Sequence, residues 1–255
     1  MGTDGRLHES TADVLESIRT RVRNARREVA LSLPVDHYPA VRPVLETARD
    51  RDVFVLLLVH SFPGHQPDPD RFADAASIVR WTSEQGQVFC TADKEWAIDG
   101  HRLNFDGERT IEDVYRYGTT VHNRMIAQAL YGYMIADDWS VADELVVFEP
   151  ADPPVTFENF RRAVVEATLR LRAGRPIEMT ADLTAIPDGE RTTATGRIVN
   201  ARQTLVYPIS STFPSEHSLF VDLGGERVSL GGLGSYAEDY ECHEITFERL
   251  LDPSS

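Results

Sequence analysis

Residues 53–59, VFVLLLV, form the longest apolar run in the chain. The run has the length of a strand, far short of the ~20 residues a membrane helix needs. No polar residue interrupts it, so both faces of such a strand must be covered. That is the situation of a parallel strand inside an α/β layer. The neighbouring sequence agrees. Val14, Leu15, Ile18, Val22 and Ala25 recur at helical spacing across 11–27, with arginines and acids on the opposite face. EVALSLP (28–34) reads as a strand closed by Pro34, and residues 39–50 read as a second helix. Helix, strand, helix, buried strand is the order of an α/β layer.

The run empties into SFPGHQPDPD (61–70), a proline-rich loop flanked by His60 and containing His65. It leaves the C-terminal end of the buried strand, where α/β sheets often place their sites; a plain exposed loop is the simpler reading. Residues 77–81, 87–93 and EWAIDG (95–100) read as further strands. Residues 121–136 are expected to form a helix whose apolar side is Met125, Ile126, Ala129, Leu130 and Tyr133. DELVVFEP (143–150) reads as a strand ending at a proline. In the next helix Thr156 is the expected N-cap, and Phe157, Phe160, Val164, Ala167 and Leu171 are its stripe. Gly174 is placed just past its end, with Pro176 beyond.

After Gly174 the pattern changes. IEMTADLTA, TTATGRIVNAR, TLVYPIS, SLFVDLGG, ERVSLGG and HEITFERL are short, β-rich and separated by turn residues, with LGGER as a hairpin signal. The expected organisation is a disordered N-terminus over 1–10, an α/β domain over 11–174 and a smaller, mostly β domain over 175–255.

The net charge of −15 and the presence of a single lysine, Lys94, among 26 basic residues describe an acidic surface that stays soluble in concentrated salt; coding bias toward arginine gives the same lysine deficit. The charge disfavours direct nucleic-acid binding by this chain, because such binding rests on Lys and Arg neutralising phosphates. Cys90 and Cys242 lie far apart and outside metal-ligand spacings, as free thiols of a cytoplasmic protein would. No secretory or membrane segment is evident, and no cofactor is expected.

Several chemistries are tested and set aside. No G-x-S-x-G elbow supports a serine nucleophile. Phospholipase D-type transfer needs H-x-K-x-x-x-x-D, and HRLNFDGE (101–108) offers His101 without the lysine. No H-x-x-x-H or C-x-x-C pair occurs. Glu238, Asp239 and Glu241 could gather a cation, but their spacing does not match a calcium loop, and a solvated acidic turn explains them as well. GGLGS (231–235) lacks the lysine of a phosphate loop. What remains is GGLGSYAEDYE (231–241), which combines a bare backbone, carboxylates and aromatic faces, the three features that hold a polyol.

VSLGGLGSYAEDYECHEITF (228–247) resembles the C-terminal end of the TrmB family of archaeal transcriptional regulators, whose members typically carry V-G-G-W-G-x-x-x-E-D-Y-E. ARREVALSLP (25–34), DRDVFVLLLV (50–59), YGTTVHNRMIAQALYGYMIADDW (117–139) and PPVTFENFRRAV (153–164) agree in order, so the likeness covers about 11–250. The resemblance implies a non-catalytic phospholipase D-like α/β domain followed by a β domain, and a role as the effector-sensing part of a sugar-responsive regulator. It implies contacts to a sugar or sugar-phosphate from Gly232, Glu238 and His217. An asparagine is more familiar at the last position, and Leu233 replaces the usual tryptophan. Gly231 and Gly234 would open the backbone, Asp239 belongs to the same motif, and Tyr236 and Trp139 are candidates for ring stacking. Family members usually begin with a winged helix-turn-helix and a long dimerising helix. Here about ten residues precede the first helix, which fits a fragment, a mis-called start or a stand-alone sensor. A homodimer, or pairing with another regulator subunit, is expected. Two other readings stay open: a protein–protein subunit that has lost ligand sensing, with helix 11–27 as its surface, and a degenerate enzyme.

Overall fold

The structure, a computed structural model, describes residues 4–84, 87–100, 118–186, 188–213 and 216–251. It divides into two compact units, Met1–Phe148 and Glu149–Ser255. His101 and the rest of HRLNFDGE lie outside the described residues.

The first unit runs β1 (Asp4–His8), α1 (Thr11–Asn24), β2 (Glu28–Pro34), α2 (Tyr38–Asp50), β3 (Phe54–His60), β4 (Ile78–Thr82), β5 (Val88–Ala92), β6 (Trp96–Gly100), β7 (Gly118–His122), α3 (Arg124–Ala136), α4 (Asp138–Val141) and β8 (Asp143–Val147). Its strands form one sheet in the order β1-β7-β6-β5-β2-β3-β4-β8. β2, β3 and β4 are parallel, and the other pairings are antiparallel. Every residue of β3 is buried, as the unbroken run requires. Val55, Leu57 and Val59 join the core under α1 and α2, while Phe54, Leu56 and Leu58 point to the opposite face. On that face α3 packs against β5 and β6, and α4 against β4. Each fully buried Leu, Val or Phe contributes roughly 1.5–3 kcal/mol, so β3 is the spine of the unit.

Polar groups pin the layers together. Arg51, the C-cap of α2, donates to the carbonyls of Val22 and Ala25 at 3.2 Å each, binding the end of α1. The Asp93 carboxylate accepts from the amides of Arg26, Arg27 and Glu28 at 2.8–3.0 Å, so the β5–β6 turn locks onto the start of β2.

Within the segment expected to be disordered, Asp4–His8 is a strand: it pairs antiparallel with β7 as the edge of the sheet, because β7 would otherwise present an open edge. The helix expected over 121–136 starts later. Val121 and His122 end β7, and Asn123 caps α3 by accepting from the amides of Met125 and Ile126. Its buried side is Ala127, Tyr131, Met134 and Ile135, not the stripe expected from spacing.

The second unit runs β9 (Val155–Phe157), α5 (Phe160–Arg172), β10 (Ile177–Ala185), β11 (Arg191–Arg202), β12 (Ser218–Asp222), β13 (Arg227–Gly231) and β14 (Tyr240–Leu250). Strands β10 to β14 pair in succession and β14 returns to β10, closing a five-stranded ring, with β9 added along β14. α5 contributes Phe160, Ala163, Val164 and Ala167 to the core of this unit. The division therefore falls after Phe148 rather than after Gly174: the helix expected to end the α/β domain belongs to the β unit, because its apolar stripe packs on the ring. Its cap is Asn159, which accepts from the Arg162 amide, while Thr156 sits in β9 with its hydroxyl 2.8 Å from that of Thr246. TLVYPIS is not a strand. The Gln203 side-chain carbonyl accepts from the amides of Leu205 and Val206 at 2.7 and 2.8 Å, and Arg172 donates to the carbonyls of Val206, Tyr207 and Pro208, holding an irregular loop. LGGER makes the β12–β13 hairpin, with Gly224 and Gly225 at φ +73° and +104°.

Candidate functional site

Between β13 and β14 the chain makes a loop over 232–239, and the ring brings β12 beside it. Ser218 pairs with Gly231 across the β12–β13 ladder, and Gly231 pairs with Glu241 in the short parallel ladder between β13 and β14. Into this corner the Glu238 side chain folds back. Its Oε1 accepts from Ser218 Oγ at 2.7 Å, and Ser218 is buried while Glu238 is half-buried. Among the described residues Ser218 is its one hydrogen-bond partner, so the carboxylate keeps lone pairs for further donors.

Gly231 explains why the carboxylate fits. A Cβ at 231 would stand 2.1 Å from Ser235 Oγ and 2.7 Å from both Cδ and Oε2 of Glu238. The missing side chain thus makes room for Glu238 and Ser235. Gly231 is itself buried, so it positions the carboxylate rather than opening main chain to solvent. Gly232 lets the loop approach α5, since a Cβ there would lie 3.3 Å from Phe160. Gly234 adopts φ +87°, where a side chain is strained, and its amide donates to Glu241 Oε2 at 3.2 Å.

The other expected residues divide. Asp239 is engaged in holding the loop: its Oδ2 accepts from the amide and hydroxyl of Ser229 at 2.8 and 2.7 Å, and its own amide donates to Ser229 Oγ at 3.0 Å. Tyr236 stands 85% exposed at the loop tip, free to meet a ring. His217 precedes Ser218 and is buried. Leu233 is exposed. Trp139 is not available for stacking on a ligand. It belongs to the first unit and is fully buried, its carbonyl accepting from Arg80 at 2.6 Å and its ring 5.2 Å below that guanidinium. Ser218, Ser229 and Ser235 were not singled out from sequence. Two of them lie on other strands, and only the ladder register brings them here.

Among the described residues the first unit holds two hydroxyl–imidazole pairs; one joins Thr120 Oγ1 to His8 Nε2 at 2.7 Å, and the other has the outline of a nucleophile and base. Ser32 Oγ lies 2.7 Å from His60 Nε2, at the end of the parallel strands. Both are buried, the Ser32 proton is donated to the Gln87 carbonyl, and burial pushes the His60 pKa down to about 4. A weak base shut away from solvent is poorly placed for catalysis. Among the described residues no three His, Cys, Asp or Glu side chains gather as metal ligands, and no helix is long and apolar enough to cross a membrane.

The family model for the N-terminal EBD subdomain of the transcriptional regulator TrmB matches residues 6–146, and that for the C-terminal EBD subdomain of TrmB/TrmBL1 matches 152–250. The chain belongs to the TrmB family. The two TrmB matches meet where the structure divides, between 146 and 152. No curated protein sequence matches it significantly. Among solved structures it is similar to Nuc of Salmonella typhimurium, a phospholipase D family member, with 14% identity and a TM-score of 0.44 over 56% of this chain and 98% of that one. TrmBL2, an archaeal chromatin protein, aligns with 14% identity and a TM-score of 0.40 over 55% of this chain and 52% of its own. NucT of Helicobacter pylori aligns with 14% identity and a TM-score of 0.37 over 52% and 93%. The architecture is an α/β domain followed by a smaller β domain, and the TrmB matches identify a TrmB-type regulatory module.

Proposed function

We propose that this TrmB-type module senses a sugar or sugar-phosphate that binds at the 231–241 loop. The observation that carries the reading is the Glu238 carboxylate, held half-buried by Ser218 in the space that Gly231 leaves empty. A carboxylate fixed in this way accepts hydrogen bonds from adjacent hydroxyls of a polyol, and charge-assisted bonds of this kind are about twice as strong as neutral ones. Tyr236 supplies an aromatic face for the C–H side of a ring, and Ser235 a further hydroxyl. His217 contributes through its place beside Ser218. The chain itself makes no contact with nucleic acid in this reading. It acts on transcription by binding its ligand with different affinity in two states of the assembly it joins.

Thermal unfolding in concentrated potassium chloride, against a panel of mono- and disaccharides and sugar phosphates, tests the proposal. Ligand at a hundred times its dissociation constant stabilises by ~2.7 kcal/mol. A selective shift in the wild type that disappears in Glu238→Ala supports the site. A shift retained in Glu238→Ala, or no shift across the panel, refutes it.

A further inference from the structure

Across the end of α1 the sequence reads RTRVRNARR (19–27), five arginines in nine residues with no acid among them, in a chain that carries 41 acids to 26 basic residues. Arg21 and Arg23 have an ordinary reason to be there, since cations in a last turn offset the helix dipole. Arg26 and Arg27 come after the helix, and Arg51 already covers the carbonyls of Val22 and Ala25. Capping therefore does not account for them. Pairing with Asp93 does not account for Arg26 either. That carboxylate accepts from the main-chain amides of Arg26, Arg27 and Glu28, and the Arg26 guanidinium has no hydrogen-bond or ion-pair partner among the described residues.

These arginines border a cavity of about 370 Å³ between the end of α1 and the β5–β6 turn, walled by Arg21, Asn24, Arg26, Arg27, Asp93 and Trp96. Its walls are fixed. The Arg21 guanidinium lies 3.4 Å from the centre of the Trp96 ring, and the His122 ring stacks on the same tryptophan at 4.3 Å and 15°. Trp96 is thus taken up by two partners, so recognition here is by charge rather than by stacking of a flat ring. The turn is strained. Asp93 and Lys94, the chain's one lysine, have φ of 52° and 60°, a region that Asp tolerates and Lys seldom enters. The three main-chain bonds to Asp93 hold that turn against the start of β2. Strain of this kind persists where the surroundings fix the backbone, and it gathers at ligand sites.

The charge of the wall selects the ligand. Three guanidinium groups meet two carboxylates, Asp93 and Glu95. Asp93 is engaged by main chain, and Glu95 stands 3.9 Å from His122 Nε2. Guanidinium forks pair bidentately with phosphate oxygens, and several forks together suit a tetrahedral dianion better than a single carboxylate. We propose that this cavity binds a phosphate group, free or carried by a small compound, held by the exposed Arg26 and Arg27 and by Arg21 on its Trp96 support. The volume lies within the range of small-molecule sites, with room for a substituent beyond the phosphate itself. The cavity belongs to the first unit and Glu238 to the second, so the two sites are separable by substitution.

Titration calorimetry of the full chain in dilute potassium chloride, with inorganic phosphate, glycerol 3-phosphate and glycerol as probes, reads the site. A phosphate compound is expected to bind and glycerol is not. Arg26→Glu should weaken that binding at least tenfold without change in unfolding temperature, since the Arg26 guanidinium has no partner among the described residues to lose. Asn24→Asp is isosteric, brings a carboxylate to the same wall and should weaken binding likewise. Glu238→Ala should leave it unchanged. Tighter binding of glycerol 3-phosphate than of phosphate makes an esterified phosphate the ligand; the reverse order makes it free phosphate, on the same residues. Failure of both phosphate compounds to bind overturns the proposal, and so does binding indifferent to both Arg26→Glu and Asn24→Asp. Binding lost in Glu238→Ala and kept in Arg26→Glu places the phosphate at the 231–241 loop and overturns it too. So does a short DNA duplex that binds through Arg26 more tightly than either phosphate compound, which makes the patch a nucleic-acid surface.

Discussion

Ser32 and His60 form a hydrogen-bonded pair in the interior of the first sheet, 2.7 Å apart. The Ser32 hydroxyl also reaches the Gln87 carbonyl at 3.0 Å, and the buried histidine is neutral at pH 7. Burial lowers its pKa from 6.5 to about 4. The unfolded chain therefore holds the proton more tightly than the folded one. The contribution is complete above pH 6.5, declines as pH falls toward 4, and is lost below that, about 3 kcal/mol in all. Denaturant midpoints measured across this range should show the decline in the wild type. In His60→Gln, which cannot titrate, the acid limb should be shallower by that amount; parallel limbs would remove His60 as its cause.

Gly231→Ala should do two things at once. The added Cβ meets Ser235 Oγ and the Glu238 carboxylate within 2.7 Å, so the carboxylate must leave its position. Overpacking of this kind costs about 1–3 kcal/mol. Ligand-induced stabilisation should vanish with it. Ser218→Ala is the milder companion. It removes one hydrogen bond of about 1 kcal/mol, and should weaken ligand binding about fivefold while lowering the unfolding temperature by only about 2–4 °C. Titration calorimetry with whichever sugar shifts the wild type reads both.

The cap of α5 can be assigned by substitution. Asn159→Ala should cost about 1 kcal/mol in unfolding free energy, because it leaves the Arg162 amide without its partner. Thr156→Val should cost less, since that hydroxyl only meets Thr246 across a strand pair. The reverse ranking would return the helix start to Thr156.

Both thiols should be silent in the folded protein. Burial pushes Cys90 and Cys242 up to about 12, so almost no thiolate exists at neutral pH. Reaction with a thiol reagent should proceed at the rate of unfolding, and release both equivalents at once in denaturant. Rapid labelling of the native protein would contradict the burial of either residue.

The parallel core was legible because its signal is strong and local. VFVLLLV can satisfy its apolar side chains only between two covering layers, and β3 does so at every residue. The weak elements were those whose partner lies far away in sequence. Asp4–His8 is short and polar, and becomes a strand only because β7 offers an edge. Val155–Phe157 has its apolar residues where a helix stripe would begin, so its pairing with β14 was masked by the helix behind it. α5 ends like any α/β helix, and nothing in its own residues says which sheet it covers. For α3 the periodicity was ambiguous: apolar residues occupy both sides, and the weaker-looking set, Ala127, Tyr131, Met134 and Ile135, is the one the sheet buries. In the loop over 231–241 the motif names Glu238 and Gly231, and the fold brings the two side by side. It could not supply Ser218, which arrives through a strand register, nor reveal that Asp239 is already bound to Ser229.

The ring of the second unit is closed by an uneven set of ladders. β10 pairs with β14 along nine positions, whereas β13 meets β14 at two, Leu230 with Tyr240 and Gly231 with Glu241. The loop carrying Glu238 spans that seam. Amide hydrogens at the seam should be among the first in this unit to exchange with solvent, since the shortest ladder opens at least cost. A molecule gripped by the loop would hold the two lips together, so its arrival would be felt as a slowing of exchange around the whole ring.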